Sequence, residues 1–186
     1  VADDVLVRPL TPELVPDFFV VQDDDPGSPG CGWCHCVAWY VPTWDGWTDR
    51  TAAQNRALRD SLFARGEYDG YLIHVAGVPA GWCQVGLRDR LPKLVRTYGL
   101  DPDPDVYAVS CFEMRPAFRG RGFAHRLLAG VVDDLARRGV AHVQAFPRPS
   151  REWTGPQSLF EKAGFVVERE GRLGRVYGRR LVTPSA

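Results

Sequence analysis

The sequence predicts an α/β fold built on a mixed sheet, and three observations carry that expectation. Strand-like and helix-like signals follow the order strand, helix, helix, three strands, helix, strand, helix, two strands. That order does not alternate strictly, so an all-parallel sheet is disfavoured. Residues 122–138 place Ala124, Leu127, Leu128, Val131, Val132 and Leu135 at helical spacing and stop at Gly139. Tyr71–Ala76 and Ala80–Leu87 are strand-like runs joined by Gly77-Val78-Pro79, which suits a hairpin.

The other elements follow in order. Val5–Leu10 reads as a first strand, and Thr11-Pro12-Glu13 starts a helix with a cap and an early proline. Residues 22–32 hold Asp23-Asp24-Asp25 and five Gly or Pro residues, the composition of a loop. Residues 33–40 alternate weakly, are rich in aromatics and are expected to form a strand. A helix is predicted from about Thr48 to Arg65, and a long functional loop over 88–105 with its three prolines. Val106–Met114 and Val140–Phe146 are predicted strands, Gly155–Ala163 a short helix, and Phe165–Glu168 with Arg175–Leu181 a closing hairpin.

A chain of 186 residues is long enough to bury a core and is most simply one domain. Its 23 basic and 23 acidic side chains cancel, so no global electrostatic term pulls it towards nucleic acid or an anionic membrane. The N-terminal residues lack the layout of a signal peptide, and no apolar run reaches the ~18–20 residues of a membrane span. A cytoplasmic location is expected. The five cysteines are odd in number, which makes reduced thiols the default. Cys31-x-x-Cys34-x-Cys36 with His35 has the spacing of a zinc or redox cluster but no second ligand pair follows, and core packing accounts for it equally well.

The most informative stretch is Arg119-Gly120-Arg121-Gly122-Phe123-Ala124, between a strand and the best helix. A helix start offers unsatisfied N–H groups and partial positive charge. Glycines there let a phosphate approach the backbone, and the two arginines add cationic charge. A dinucleotide fingerprint does not fit, because His125 stands at the third glycine position, and no Lys-Ser/Thr pair marks a Walker loop.

Arg119-x-x-Gly122-x-Ala124 resembles the pyrophosphate-binding signature of the GNAT acyltransferases. Phe112-Glu113-Met114-Arg115-Pro116-Ala117-Phe118 resembles that family's bulged fourth strand and the turn after it. Ser158-Leu159-Phe160-Glu161-Lys162-Ala163-Gly164-Phe165 is similar to its second hallmark. The resemblance covers residues 70–181 and is closer still to a subgroup with Cys34-His35-Cys36-Val37-Ala38-Trp39, Gly81-Trp82-Cys83 and Cys111-Phe112.

The resemblance implies a mostly antiparallel sheet whose fourth and fifth strands splay, with helices on both faces and acetyl-CoA as co-substrate. Cys111, Phe112, Glu113 and Met114 would then line the pantetheine arm. Arg119, Gly120, Arg121, Gly122, Phe123, Ala124 and His125 would bind the pyrophosphate, and Ser158 and Phe160 would line the thiol end. The implied reaction is direct attack of an amine on the thioester, with a small-molecule or peptide amine as acceptor and a homodimer compatible with it. The backbone N–H of Met114 is the expected oxyanion donor and Glu113 the expected base. A carboxylate between apolar walls is pushed towards neutrality, as a base requires. Asp105 or a water chain are the alternatives. The family's usual acid is a tyrosine where this chain has Phe160, and Ser158 and Tyr177 are weak substitutes. A non-catalytic acyl-CoA-binding module and a thiol- or zinc-based sensor are the rival readings. The tryptophan-rich segment, Trp33 to Trp47, is the candidate acceptor-side wall.

Overall fold

The computed structural model describes residues 4–24, 32–148, 153–171 and 174–181. Cys31, most of the expected 22–32 loop and the tip of the closing hairpin lie outside the described residues. Seven strands lie within them: β1 (Val5–Pro9), β2 (Gly70–Val75), β3 (Val78–Leu87), β4 (Val106–Met114), β5 (His142–Ala145), β6 (Val166–Gly171) and β7 (Gly174–Arg180). They form one sheet in the order β1-β2-β3-β4-β5-β7-β6. All neighbours pair antiparallel except β4 and β5, which are parallel.

Helices cover both faces. On one lies α4 (Phe123–Arg137), whose Leu127, Leu128, Val131 and Leu135 are fully buried against Ile73, Cys83, Val85, Val109 and Val143. Each such side chain contributes about 1.5–3 kcal/mol by leaving water. On the other lie α1 (Val15–Gln22) and α2 (Ala52–Ala64), which bury Phe18, Val21 and Leu62, with Leu14 of the turn before α1, against Leu72 and Trp82. α2 begins at Ala52, later than the sequence pattern implied, because Thr51 and Gln54 close a capping box. α5 (Gln157–Lys162) follows β5.

Two expectations are corrected. Residues 33–40 are not a strand but successive turns, closed by Val37 N–H to Cys34 O (3.1 Å) and Tyr40 N–H to Val37 O (3.0 Å). His35 and Cys36 there have φ of 46° and 53°, which no strand tolerates. Nor is 88–105 a long loop: it contains α3 (Pro92–Tyr98) after a 3-10 turn at Arg88–Arg90. Leu91, Leu94 and Tyr98 recur at helical spacing, and their burial against Ala108, Phe146 and Val176 holds the helix in place.

Candidate active site

The site is organised by an irregularity in β4. Gln84 of β3 pairs with Cys111, but the next residue, Val85, pairs with Val109. Ser110 is therefore the extra residue of a β-bulge. The bulge inverts the side-chain alternation: Val109 faces α4 before it, and Phe112 and Met114 face α4 after it. Cys111 packs on the opposite side with α1 and α2, and Glu113 lines the cleft there. Glu113 thus lies opposite Phe112 and Met114, as strand alternation predicts.

The pairing of β4 with β5 ends at Val109 and Ala145, while β4 continues to Met114. In an antiparallel ladder successive N–H groups point to alternate sides. Arg115 N–H bonds Ala80 O of β3 at 3.0 Å, so the N–H groups of Met114 and Phe112 point off the other edge. That of Phe112 bonds the Trp153 carbonyl at 2.6 Å. The Met114 carbonyl accepts from Arg119 Nε at 2.7 Å.

A 3-10 turn at Pro116–Phe118 carries the chain to Arg119, Gly120, Arg121 and Gly122, the N-cap of α4. Gly120 and Gly122 have φ of 72° and 81°, and a Cβ on either would project into open space. Among the described residues no side chain caps α4, and its first turn holds no acidic residue. The glycines supply a left-handed turn and an open approach to the helix end, and Arg119, Arg121 and His125 are exposed around it. The Phe123 side chain is buried in the core, so only its backbone faces the turn. Ala124 is half-buried.

On the other side of β4 a cleft of about 670 Å³, its open mouth included, is walled by Trp33, Trp39, Trp47 and Trp153. Cys34, Cys36 and Cys111 complete the walls, and the polar residues Gln22, Gln84, Ser110 and Glu113 gather on the sheet side. These polar groups are tied together. Gln22 donates to the Glu113 carboxylate. Gln84 accepts from the Ser110 hydroxyl (2.9 Å) and donates to Cys36 O (2.8 Å). Trp39 Nε1 donates to the carbonyl of the bulge residue Ser110 at 3.2 Å, and Trp33 Nε1 to Arg50 O at 2.8 Å. Four described non-glycine residues have positive φ, and two of them, Cys36 and Trp153, line the cleft while His35 adjoins it. Such conformations cost about 1–3 kcal/mol each and collect at functional sites.

None of the described thiols is activated. Burial pushes Cys34 up to about 12. Cys36 is raised by its contact with Cys111, 3.2 Å away between the sulfurs, and then by burial. The described cysteines are free, and no group of three or more His, Cys, Asp or Glu among the described residues is placed to hold a metal ion. Behind the wall, Lys93 is only 1% exposed, with Nζ 3.4 Å from the Trp44 ring centroid and 4.5 Å from that of Trp47. Burial lowers its pKa to about 8.

The remaining expected residues are dispersed. Phe160 is fully buried, edge-on to Phe112 and Phe165, while Ser158 on the same short helix is exposed. Tyr177 is buried on the α4 side and donates its hydroxyl to Glu161 (3.0 Å). Asp105 is exposed before the first residue of β4, about 25 Å of strand from Glu113. Gln22, Gln84, Ser110, Trp153 and Lys93 were not identified as site residues from the sequence. Nothing local marks them, since each meets the cleft through a contact distant in sequence.

The profile of the acetyltransferase (GNAT) family matches residues 33–165. No curated protein matches the sequence significantly. Among solved structures, the fold is similar to an N-acetyltransferase from Staphylococcus aureus Mu50 (TM-score 0.59, 15% identity, 95% of this chain and 98% of that one). It is similar to the PaiA N-acetyltransferase of Thermoplasma acidophilum in complex with coenzyme A (0.56, 11%, 95% and 99%). It is also similar to the aminoglycoside acetyltransferase AAC(6′)-Ib in complex with coenzyme A and kanamycin (0.60, 18%, 95% and 95%).

Proposed function

Because the chain belongs to the acetyltransferase (GNAT) family, we propose that it moves an acetyl group from acetyl-CoA to a primary amine by direct attack. The observation that carries the reading is the β4 edge beyond Val109, released from β5 and leading directly to the open Gly120–Gly122 turn. The helix end without a side-chain cap among the described residues and two left-handed glycines fit a pyrophosphate, and the edge released from β5 fits the amide-bearing arm of a coenzyme A thioester. Residues 119–125 are assigned to the pyrophosphate, and Cys111–Met114 to the arm, through backbone groups. Phe160 and Ser158 are assigned to the thiol end, Phe160 by supporting Phe112 from beneath.

Acetyl-CoA, when bound, supplies a thioester carbonyl. The Met114 N–H donates to its oxygen as negative charge develops, a contribution that grows in the transition state. Glu113 takes the ammonium proton, freeing the nitrogen lone pair. The amine nitrogen forms the new C–N bond as the C–S bond breaks. In balance the ammonium gives up two protons, one to the departing thiolate and one to solvent through Glu113. A thiolate leaves readily enough that the hydroxyl missing at Phe160 is not needed. We read residues 1–186 as one acyltransferase domain acting in the cytoplasm; that one fold matches 95% of the chain supports the single domain. No helix among the described residues is long and apolar enough to cross a membrane.

The test is release of coenzyme A thiol from acetyl-CoA in the presence of primary amines, with the amide identified by mass. Binding of acetyl-CoA without turnover on any amine would favour the second reading, a non-catalytic acyl-CoA-binding module, to which Phe160 points.

A further inference from the structure

We infer that the cleft takes an acceptor with a single amine on an apolar or aromatic body, of the arylalkylamine class, and excludes polycations. This rests on the acetyl-transfer reading and names the substrate class of that same site.

The walls come first. Trp33 and Trp39 spend their indole N–H groups on the backbone of Arg50 and Ser110, so what they offer a ligand is ring surface. Trp47 meets Trp33 edge to face at 5.0 Å, and Trp39 meets Trp153 at 6.3 Å, which fixes these rings against one another. Rings held in this way present a preorganised apolar surface that loses little freedom when a ligand binds.

Charge comes second. Among the described residues that line the cleft, Glu113 is the sole carboxylate, and none is a lysine or arginine. The other polar groups, Gln22, Gln84 and Ser110, already bond one another, Glu113 or the Cys36 backbone. One ammonium therefore finds one counter-charge. A second or third ammonium in the same ligand would be desolvated against indoles with no further carboxylate among the described lining residues to receive it, and buried unpaired charge is strongly disfavoured.

Lys93 adds to the discrimination. Its ammonium sits on the rings of Trp44 and Trp47 and has no hydrogen-bond partner among the described residues. The chain thus places its own cation against the aromatic wall, where its charge opposes a further cation across low-dielectric rings.

The experiment measures initial rates of thiol release at saturating acetyl-CoA for phenethylamine, tryptamine, spermidine and kanamycin. The expected result is kcat/KM for either aromatic monoamine exceeding that for spermidine and kanamycin by at least about 100-fold. Trp47→Ala should lower kcat/KM for phenethylamine at least about tenfold with the KM for acetyl-CoA unchanged. Turnover of spermidine or kanamycin equal to or better than the aromatic amines overturns the inference, and so does an unaffected Trp47→Ala. Should no amine be turned over, calorimetric titration of the coenzyme A complex with phenethylamine and with spermidine decides. Binding of phenethylamine alone keeps the assigned ligand class while the catalytic reading falls. Binding of spermidine, or of neither, removes the class.

Discussion

On the edge of β4 that faces away from β3, the protein offers mostly backbone: the N–H group of Met114, beside that of Phe112 which Trp153 O holds, the turn through Gly120 and Gly122, and the start of α4. On its cleft face it offers side chains: four indoles, a carboxylate and a bonded set of amides and hydroxyl. On the proposed assignment the first surface would recognise its ligand by main-chain geometry, through residues 111–125. The second is assembled from α1, the 32–47 segment, β3, β4 and Trp153, and its chemistry changes with every side chain. This difference explains why a coenzyme can be proposed from a short motif while the acceptor cannot. Main-chain recognition needs only glycines and a helix start, whereas side-chain recognition needs the whole fold.

Glu113 stands at the junction of the two surfaces, and removing its charge should have the largest effect. Glu113→Gln is expected to lower turnover by about 10²–10⁴ with unchanged acetyl-CoA affinity. The loss should be deepest below the pKa of the amine, where the acceptor is ammonium, and shrink as pH rises. Rates equal to wild type across about pH 6–9 would remove Glu113 from proton transfer and leave a water relay.

Gly122→Glu addresses the backbone surface alone. It puts an anion at the phosphate approach and a side chain at φ 81°, and acetyl-CoA affinity should fall at least about 100-fold. Phenethylamine binding to the same folded variant should be retained. Calorimetry that finds both ligands unaffected, or both lost, would dissolve the distinction between the surfaces.

The aromatic side can be probed through stability. Lys93 titrates near 8 when folded, because burial disfavours its charge, and near the ordinary lysine value of about 10.4 when unfolded. Between these values the unfolded chain binds more protons, so this group makes the protein more stable as pH rises. Below about pH 8 the penalty of the buried ammonium is fully present. Lys93→Met should therefore melt higher than wild type at pH 7, and the gap should narrow towards pH 10. Thermal melts with a gap independent of pH would show that Lys93 is not the titrating group.

The smallest effect is expected at Phe160→Tyr. Phe160 is fully enclosed by Phe112, Phe165 and the backbone near Gly155, away from the indole-walled cleft. Turnover should stay within about twofold of wild type, since a thiolate needs little help to depart. A clear acceleration would instead show that leaving-group protonation limits the rate.

Local signals account for the parts that were legible from residues alone. β4 spans Val106–Met114 as its β-branched and aromatic residues predict, and α4 occupies the apolar-periodic stretch between Gly122 and Gly139. The weak alternation at 33–40 misled because no strand edge is paired with it, and left-handed His35 and Cys36 turn the chain instead. In 88–105 the prolines masked a helix whose Leu91, Leu94 and Tyr98 spacing was present all along.

The sequence by itself determined the order of elements, the glycine turn at the start of α4 and the opposition of Glu113 to Phe112 and Met114. Each of these depends on neighbours a few positions away, through dihedral preference, periodicity and strand alternation. Only the tertiary structure decided which face Glu113 shares. One bulged residue, Ser110, shifts the phase of β4, and without it Glu113 would lie on the side of Val109, under α4. It also decided what surrounds that carboxylate. Gln22 reaches it across 91 positions, Cys36 meets Cys111 across 75, and Trp39 meets the bulge carbonyl across 71. Contacts at such separations are selected by the packing of whole elements on a sheet, and no local propensity encodes them.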